Sequence, residues 1–152
     1  MSSYVNFYLK DNKGSYSYLF GYSRSHMVYE SFYYVMGYNK VNDYCGELTI
    51  EDCRHIREYL KDRQNSNIKN IEDYKVALTN IGSWNNTIKE KMEYISDWQY
   101  NIKECEEEIE CCKFADSLFF ILSDMLDFNP SHITIYAGID CWASKEEEEA
   151  NK

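Results

Sequence analysis

The chain's six cysteines and three histidines are where its side chains could do chemistry. Cys105, Cys111 and Cys112, with Cys141 or His132, make a soft donor set of the kind that holds zinc. Structural zinc sites, however, space their paired ligands two to four residues apart; here the intervals are six and one. Cys105 and Cys112 stand one heptad apart, which suits small core residues better than ligands. No metal site is therefore expected. His26, His55 and His132 come with no nucleophile elbow, no HExxH, no phosphate-binding glycine loop and no GxGxxG. Carboxylate pairs are plentiful, but a glutamate-rich helix generates them by chance, and a glycosidase needs a cleft and a raised pKa besides. The reading is of a non-enzymatic chain with no catalytic residue and no cofactor.

The carboxylates point elsewhere. Net charge is −10, and residues 71–130 carry five bases against 13 acids. Glu104, Glu106, Glu107, Glu108 and Glu110 place five carboxylates within seven residues. A run of this kind is commonly a solvated helix face. Its sharper use is to imitate nucleic-acid phosphate and occupy a basic groove on another protein, with long-range attraction hastening encounter. Direct contact with nucleic acid is disfavoured, because it needs clustered lysine and arginine. The local bases Arg54, Arg57, Lys61 and Arg63 are matched by Glu47, Glu51, Glu58 and Asp62, so surface pairs four residues apart are expected there.

The elements that must carry these groups follow from periodicity. Residues 4–10 alternate, with Val5, Phe7 and Leu9 on one face; Asp11–Gly14 is a turn and residues 15–22 return, giving a β-hairpin. The inward face of the second strand is open: Tyr16, Tyr18, Phe20 and Tyr22 outweigh Ser17, Leu19 and Gly21. A helix over 26–36 follows, capped by a serine of Ser23–Ser25 and stopped at Gly37. Residues 38–47 read as loop. Thr49 and Asp52 form a variant capping box for a helix from Ile50 to about Asp62, with a polar break at 64–67. From Ile68 to Phe128 the pattern is helical. Tyr74, Ile81, Ile88, Ile95, Ile102 and Ile109 recur every seven residues, followed three later by Ala77, Trp84, Lys91, Trp98, Cys105 and Cys112. This is a coiled-coil seam, closed within the chain or against a second copy. Gly82-Ser83 is the expected hinge and Lys113-Phe114 a second candidate break. Residues 132–139 are the last strand, and the glutamate-rich segment 143–152 is a solvated tail. The expected fold is α+β: a three-stranded antiparallel sheet, from the N-terminal hairpin and the C-terminal strand, packed on helices. Residues 1–142 form one domain, with an acidic helical hairpin at about 68–128.

At 152 residues and 44% hydrophobic content the chain is long and apolar enough for a packed core. No apolar run approaches the ~20 residues that cross a bilayer, and the first residues lack a basic-then-apolar secretory pattern. Reduced thiols in a cytosol are expected on that ground. Fifteen tyrosines exceed what one small core can bury. Tyrosine is a favoured contact residue, large and amphipathic, which marks Tyr22 and Tyr29, with Arg24 between them, as partner-binding candidates beside the five glutamates. An AT-rich coding sequence would by itself also favour Tyr, Asn, Lys and Ile.

The stretch Ser3-Tyr4-Val5-Asn6-Phe7-Tyr8-Leu9, followed by Gly21-Tyr22-Ser23-Arg24-Ser25, resembles small acidic proteins of tailed phages and mobile elements of low-GC bacteria. That resemblance covers about the first quarter of the chain. It implies an origin in which inhibitors of host defence, anti-CRISPR proteins among them, are common. The expected function is a non-enzymatic inhibitor in the bacterial cytosol that binds a host defence nuclease or ribonucleoprotein. Two alternatives are a scaffold that self-associates, as a homodimer, through Ile88, Ile95, Trp98, Ile102 and Ile109, and a small nucleotide-binding protein or hydrolase with an unrecognised pocket.

Overall fold

The computed structural model describes residues 3–37, 45–129 and 132–141. The elements are β1 (Tyr4–Lys10), β2 (Tyr16–Ser23), α1 (Met27–Met36), β3 (Gly46–Leu48), α2 (Ile50–Asn80), a 3-10 turn (Ile81–Ser83), α3 (Ile88–Asp127) and β4 (Thr134–Ile139). The chain divides into a first unit, Met1–Leu60 with Ala115–Lys152, and a second unit, Lys61–Phe114. The fold is α+β, and the expected tail at 143–152 lies outside the described residues. No helix among the described residues is long and apolar enough to cross a membrane.

In the first unit an antiparallel sheet has the order β2-β1-β4-β3. The hairpin and the C-terminal strand pair as expected. A fourth strand, β3, adds to β4 where the sequence suggested loop. Its three residues, Gly46-Glu47-Leu48, are too short to show a period. Phe7 on β1 is the centre of the core, with ring centroids 4.9 Å from Phe20, 6.2 Å from Phe32 and 6.0 Å from Phe119. β1 lies between two strands and is covered on both faces, so Asn6 and Tyr8 are buried as fully as Val5 and Phe7.

A bulge between Phe7 and Tyr8 settles the face of β2. Phe7 pairs with Phe20 and Tyr8 with Tyr18, which leaves Leu19 as the extra residue. The alternation therefore reverses midway. Phe20 and Tyr22 join the Phe7 face, whereas Tyr16 and Tyr18 join Tyr8 and Lys10 on the other. The Lys10 ammonium lies 5.4 Å and 5.8 Å from the ring centroids of Tyr16 and Tyr136. Gly21 is required by close approach: a Cβ there would meet the Asn6 side-chain oxygen at 2.5 Å.

Caps fix the helix ends. Gly37 stops α1 at φ 61°, a backbone angle that glycine adopts without strain. The N-cap of α1 is not one of the serines but His26, whose Nδ1 accepts from the Val28 N–H at 3.1 Å. Thr49 and Asp52 form the expected reciprocal box, with N···O distances of 3.0 and 3.1 Å. A second box, Thr87 with Glu90, starts α3.

Two expectations about the helices are corrected. α2 has no break at 64–67: that stretch holds neither Gly nor Pro, and Asn67 turns inward to donate to the Arg63 carbonyl. α3 has no break at Lys113-Phe114. The chain turns at Gly82-Ser83, as expected, so the heptad column is shared between two helices. Tyr74 therefore lies on α2, Ile81 in the turn, and Ile88 onward on α3. A disulfide joins Cys45 to Cys141, just before β3 and just after β4. This corrects the expectation of reduced thiols for those two residues and removes Cys141 from any donor set with Cys105, Cys111 and Cys112. Cys53, Cys105, Cys111 and Cys112 take part in no disulfide among the described residues.

Candidate interaction surfaces

Two surfaces, one in each unit, collect the residues singled out in the sequence. In the first unit α1 carries tyrosines at 29, 33 and 34, and the end of β2 leads into Arg24. These residues and Glu30 line an open hollow of about 530 Å3. The Tyr29 and Tyr33 rings lie nearly parallel, 6.3 Å apart, because residues four apart share a helix face. Tyr34 stacks on Tyr59 of α2 at 5.9 Å and is largely exposed. Arg24 and Tyr29 are thus brought together as expected, although Tyr29 is mostly buried and offers only part of its ring. Tyr22 is absent from this lining: it packs against His26 at 4.3 Å and Phe20 at 5.7 Å. Glu30 escaped the sequence reading, yet its place one turn before Tyr34 was the available signal. Tyr38 and Tyr44 lie outside the described residues.

In the second unit the glutamates of α3 divide by partner. Glu108 accepts from Arg63 and Asn67 of α2, which closes the helical hairpin internally. Glu110 sits 3.4 Å from Lys113. Glu104 accepts from Tyr100; that bond and the nearby carboxylate charge hold the phenol above its ordinary pKa. Glu104, Glu106 and Glu107 are exposed, and no ion pair to any of them is formed among the described residues. Acidity is a property of α3 rather than of both helices: α3 carries four bases and eleven acids, whereas α2 carries six of each.

The arginines of α2 are occupied, but not all in the way expected, and no ion pair to Lys61 is formed among the described residues. Arg54 pairs along its own helix with Glu51 and, at 2.6 Å, with Glu58. Arg57 instead reaches Asp116 of α3 at 3.0 Å and lies over the Phe120 ring, while Arg63 reaches Glu108. The seam residues Ile95, Trp98, Ile102 and Ile109 are half-buried, and Ile88 is exposed. Trp98 meets Trp84 and Tyr94 at 5.4 and 5.6 Å.

Two of the thiols are poor nucleophiles. Burial, aided by the neighbouring Asp52 carboxylate, pushes the Cys53 thiol up to about 12. Desolvation, then Glu108 and Glu104, raises that of Cys105. Both stay protonated at neutral pH, whereas reaction requires a thiolate. No group of three His, Cys, Asp or Glu residues that could hold a metal ion is gathered among the described residues. No family model matches the chain, and no curated protein or solved structure proved similar to it.

Proposed function

We propose that this chain is a non-enzymatic binding protein that blocks a partner with a basic, nucleic-acid-binding surface, a bacterial defence nuclease or ribonucleoprotein being the class in view. The observation that carries the reading is the exposed set Glu104, Glu106 and Glu107, with no lysine or arginine paired to it among the described residues. Charge spacing supports it. Seven helical residues rise about 10 Å, so the five carboxylates of 104–110 stand at about one per 2 Å, near the ~1.7 Å of duplex DNA. With Glu108 and Glu110 paired internally, the three that remain stand at about one per 3.5 Å, close to the ~3.4 Å of a single strand. The rigid helix presents these charges without an ordering cost at binding. The tyrosine hollow supplies a second, less charged contact on the first unit.

The test is capture from bacterial lysate at low salt, followed by identification of the retained protein. Glu104→Lys/Glu106→Lys/Glu107→Lys is expected to weaken capture at least about 10-fold, and added salt to weaken capture by the unaltered chain. Undiminished capture by the triple variant at low salt would sink the proposal.

A further inference from the structure

The first unit is well buried except on the outer face of α3. The inner face of that segment is complete: Ala115, Phe119 and Leu122 are at most 1% exposed, and Phe119 reaches Phe7 of β1. A second set of large apolar residues lies elsewhere on the same turns. Leu118, Ile121, Met125 and Phe128 follow at intervals of three, four and three, the spacing by which one helix meets another. At about 100° per residue, this set is centred about 110° round α3 from the buried one. Leu118 and Met125 are half-buried on the side nearer the core, whereas Ile121 is 53% exposed and Phe128 76%. The flank away from the core holds Asp124 and Asp127, both exposed, and no ion pair to either is formed among the described residues. Residues 115–128 contain three acids and no base, and the third acid, Asp116, is held by Arg57. Asp124 and Asp127 also stand in the last turn of α3, which has no basic residue. Carboxylates there oppose the helix dipole, and a cation is the favoured neighbour.

We infer that this face of α3 binds a basic amphipathic helix of a partner protein. The apolar stripe of that helix lies on Ile121 and Phe128, and its lysines or arginines reach Asp124, Asp127 and the end of α3. Charge selects this occupant over the others. A second copy of this chain brings only carboxylates and no base to the contact. An anionic lipid surface repels the same carboxylates. An uncharged apolar segment leaves Asp124 and Asp127 partly desolvated and unpaired beside it. A basic helix covers the stripe and neutralises what flanks it. The inference goes beyond the proposed function: the site lies within the first unit and does not draw on Glu104, Glu106 or Glu107.

Fluorescence anisotropy of labelled synthetic helices at about 150 mM salt tests this. One probe carries leucines at heptad spacing flanked by lysines; the other keeps the leucines and has glutamates in place of the lysines. The full chain should bind the lysine peptide with a Kd of about 1–100 µM and the glutamate peptide at least about 10-fold more weakly. Ile121→Ser/Phe128→Ser, at two exposed positions, should keep its helical circular dichroism and bind the lysine peptide about 30-fold more weakly. Asp124→Asn/Asp127→Asn should weaken that binding by about 3- to 10-fold and flatten its salt dependence. Glu104→Lys/Glu106→Lys/Glu107→Lys, which tests the proposed function by lysate capture, should change peptide binding by less than about 3-fold, so either reading can fail without the other. Absence of peptide binding, equal affinity for the two peptides, binding indifferent to the Ile121 and Phe128 changes, or binding lost with the three glutamates would each overturn the inference. So would a dimer of the full chain, or attachment to anionic vesicles, that Ile121→Ser/Phe128→Ser abolishes.

Discussion

Phe7 in the first unit and Ile88 in the second are both large and apolar, yet one is fully buried and the other is 80% exposed. The contrast extends across the two units. The first hides Val5, Phe7, Phe32, Phe119, Ile135 and others beneath a sheet that is covered on both faces of β1. The second buries two apolar residues, Ile81 and Cys112, and leaves Ile68, Val76, Ile88 and Met92 in water. The first unit spends its aromatic side chains on its own stability. The second is held by caps and by the Arg63–Glu108–Asn67 cluster, and displays both its apolar residues and its charge. Interaction is therefore expected where burial is poorest, consistent with the general meaning of exposed apolar patches.

That contrast can be broken by substitution. The largest effect is expected from Phe7→Ala, which empties the centre of three ring contacts and should cost about 3–5 kcal/mol in urea unfolding. The parallel change Ile95→Ala in the second unit should cost under about 1.5 kcal/mol, because the residue is only half-buried. Equal losses would erase the distinction between the units. An intermediate effect is expected from Thr87→Ala, which removes one half of the capping box of α3. It should cost about 1 kcal/mol, seen as faster amide exchange at Glu90 and Lys91, with β1 unaffected.

The smallest effect is a pH dependence at α1. Partial burial lowers the pKa of His26, and its Nδ1 must be unprotonated to accept from Val28. A histidine whose folded pKa is depressed contributes stability above its unfolded value of about 6.5. That contribution is lost as pH falls from there through the lower folded value. The protection of the Val28 amide against exchange, taken relative to its intrinsic rate at each pH, should accordingly fall between about pH 7 and pH 5, and His26→Gln should flatten that dependence. A histidine titration found at or above the ordinary value would contradict this.

What the sequence made legible was what period and capping encode. β1, β2 and β4 alternate, Thr49 and Asp52 cap α2, Gly37 ends α1, and Gly82-Ser83 turns the chain. Four features escaped for physical reasons. β3 is too short for a period. The break assigned to 64–67 rested on polarity, although polar residues on a helix face cost little without Gly or Pro. The bulge at Leu19 depends on pairing with β1, so the four tyrosine and phenylalanine positions of β2 seemed a single face until their partner was known. The seven-residue column passed through Gly82 by coincidence of register, joining residues of two helices. Among the surface residues, Arg24 and Tyr29 share one hollow, as their closeness in sequence suggested. Tyr22 does not, because the bulge turns it inward with Phe20. Glu108 and Glu110 read like the other glutamates. Only the fold reveals that α2 supplies Arg63 to one, while Lys113 of α3 itself stands beside the other.

The Cys45–Cys141 bond has a topological consequence. Its two ends lie 96 residues apart in the chain, so α2, the turn at 81–83 and α3 all belong to one covalent ring. A protease that severs the backbone at the turn opens this ring without releasing either piece. The nicked molecule should migrate near its full 18.2 kDa on a non-reducing gel and separate into two fragments only after treatment with a thiol reductant.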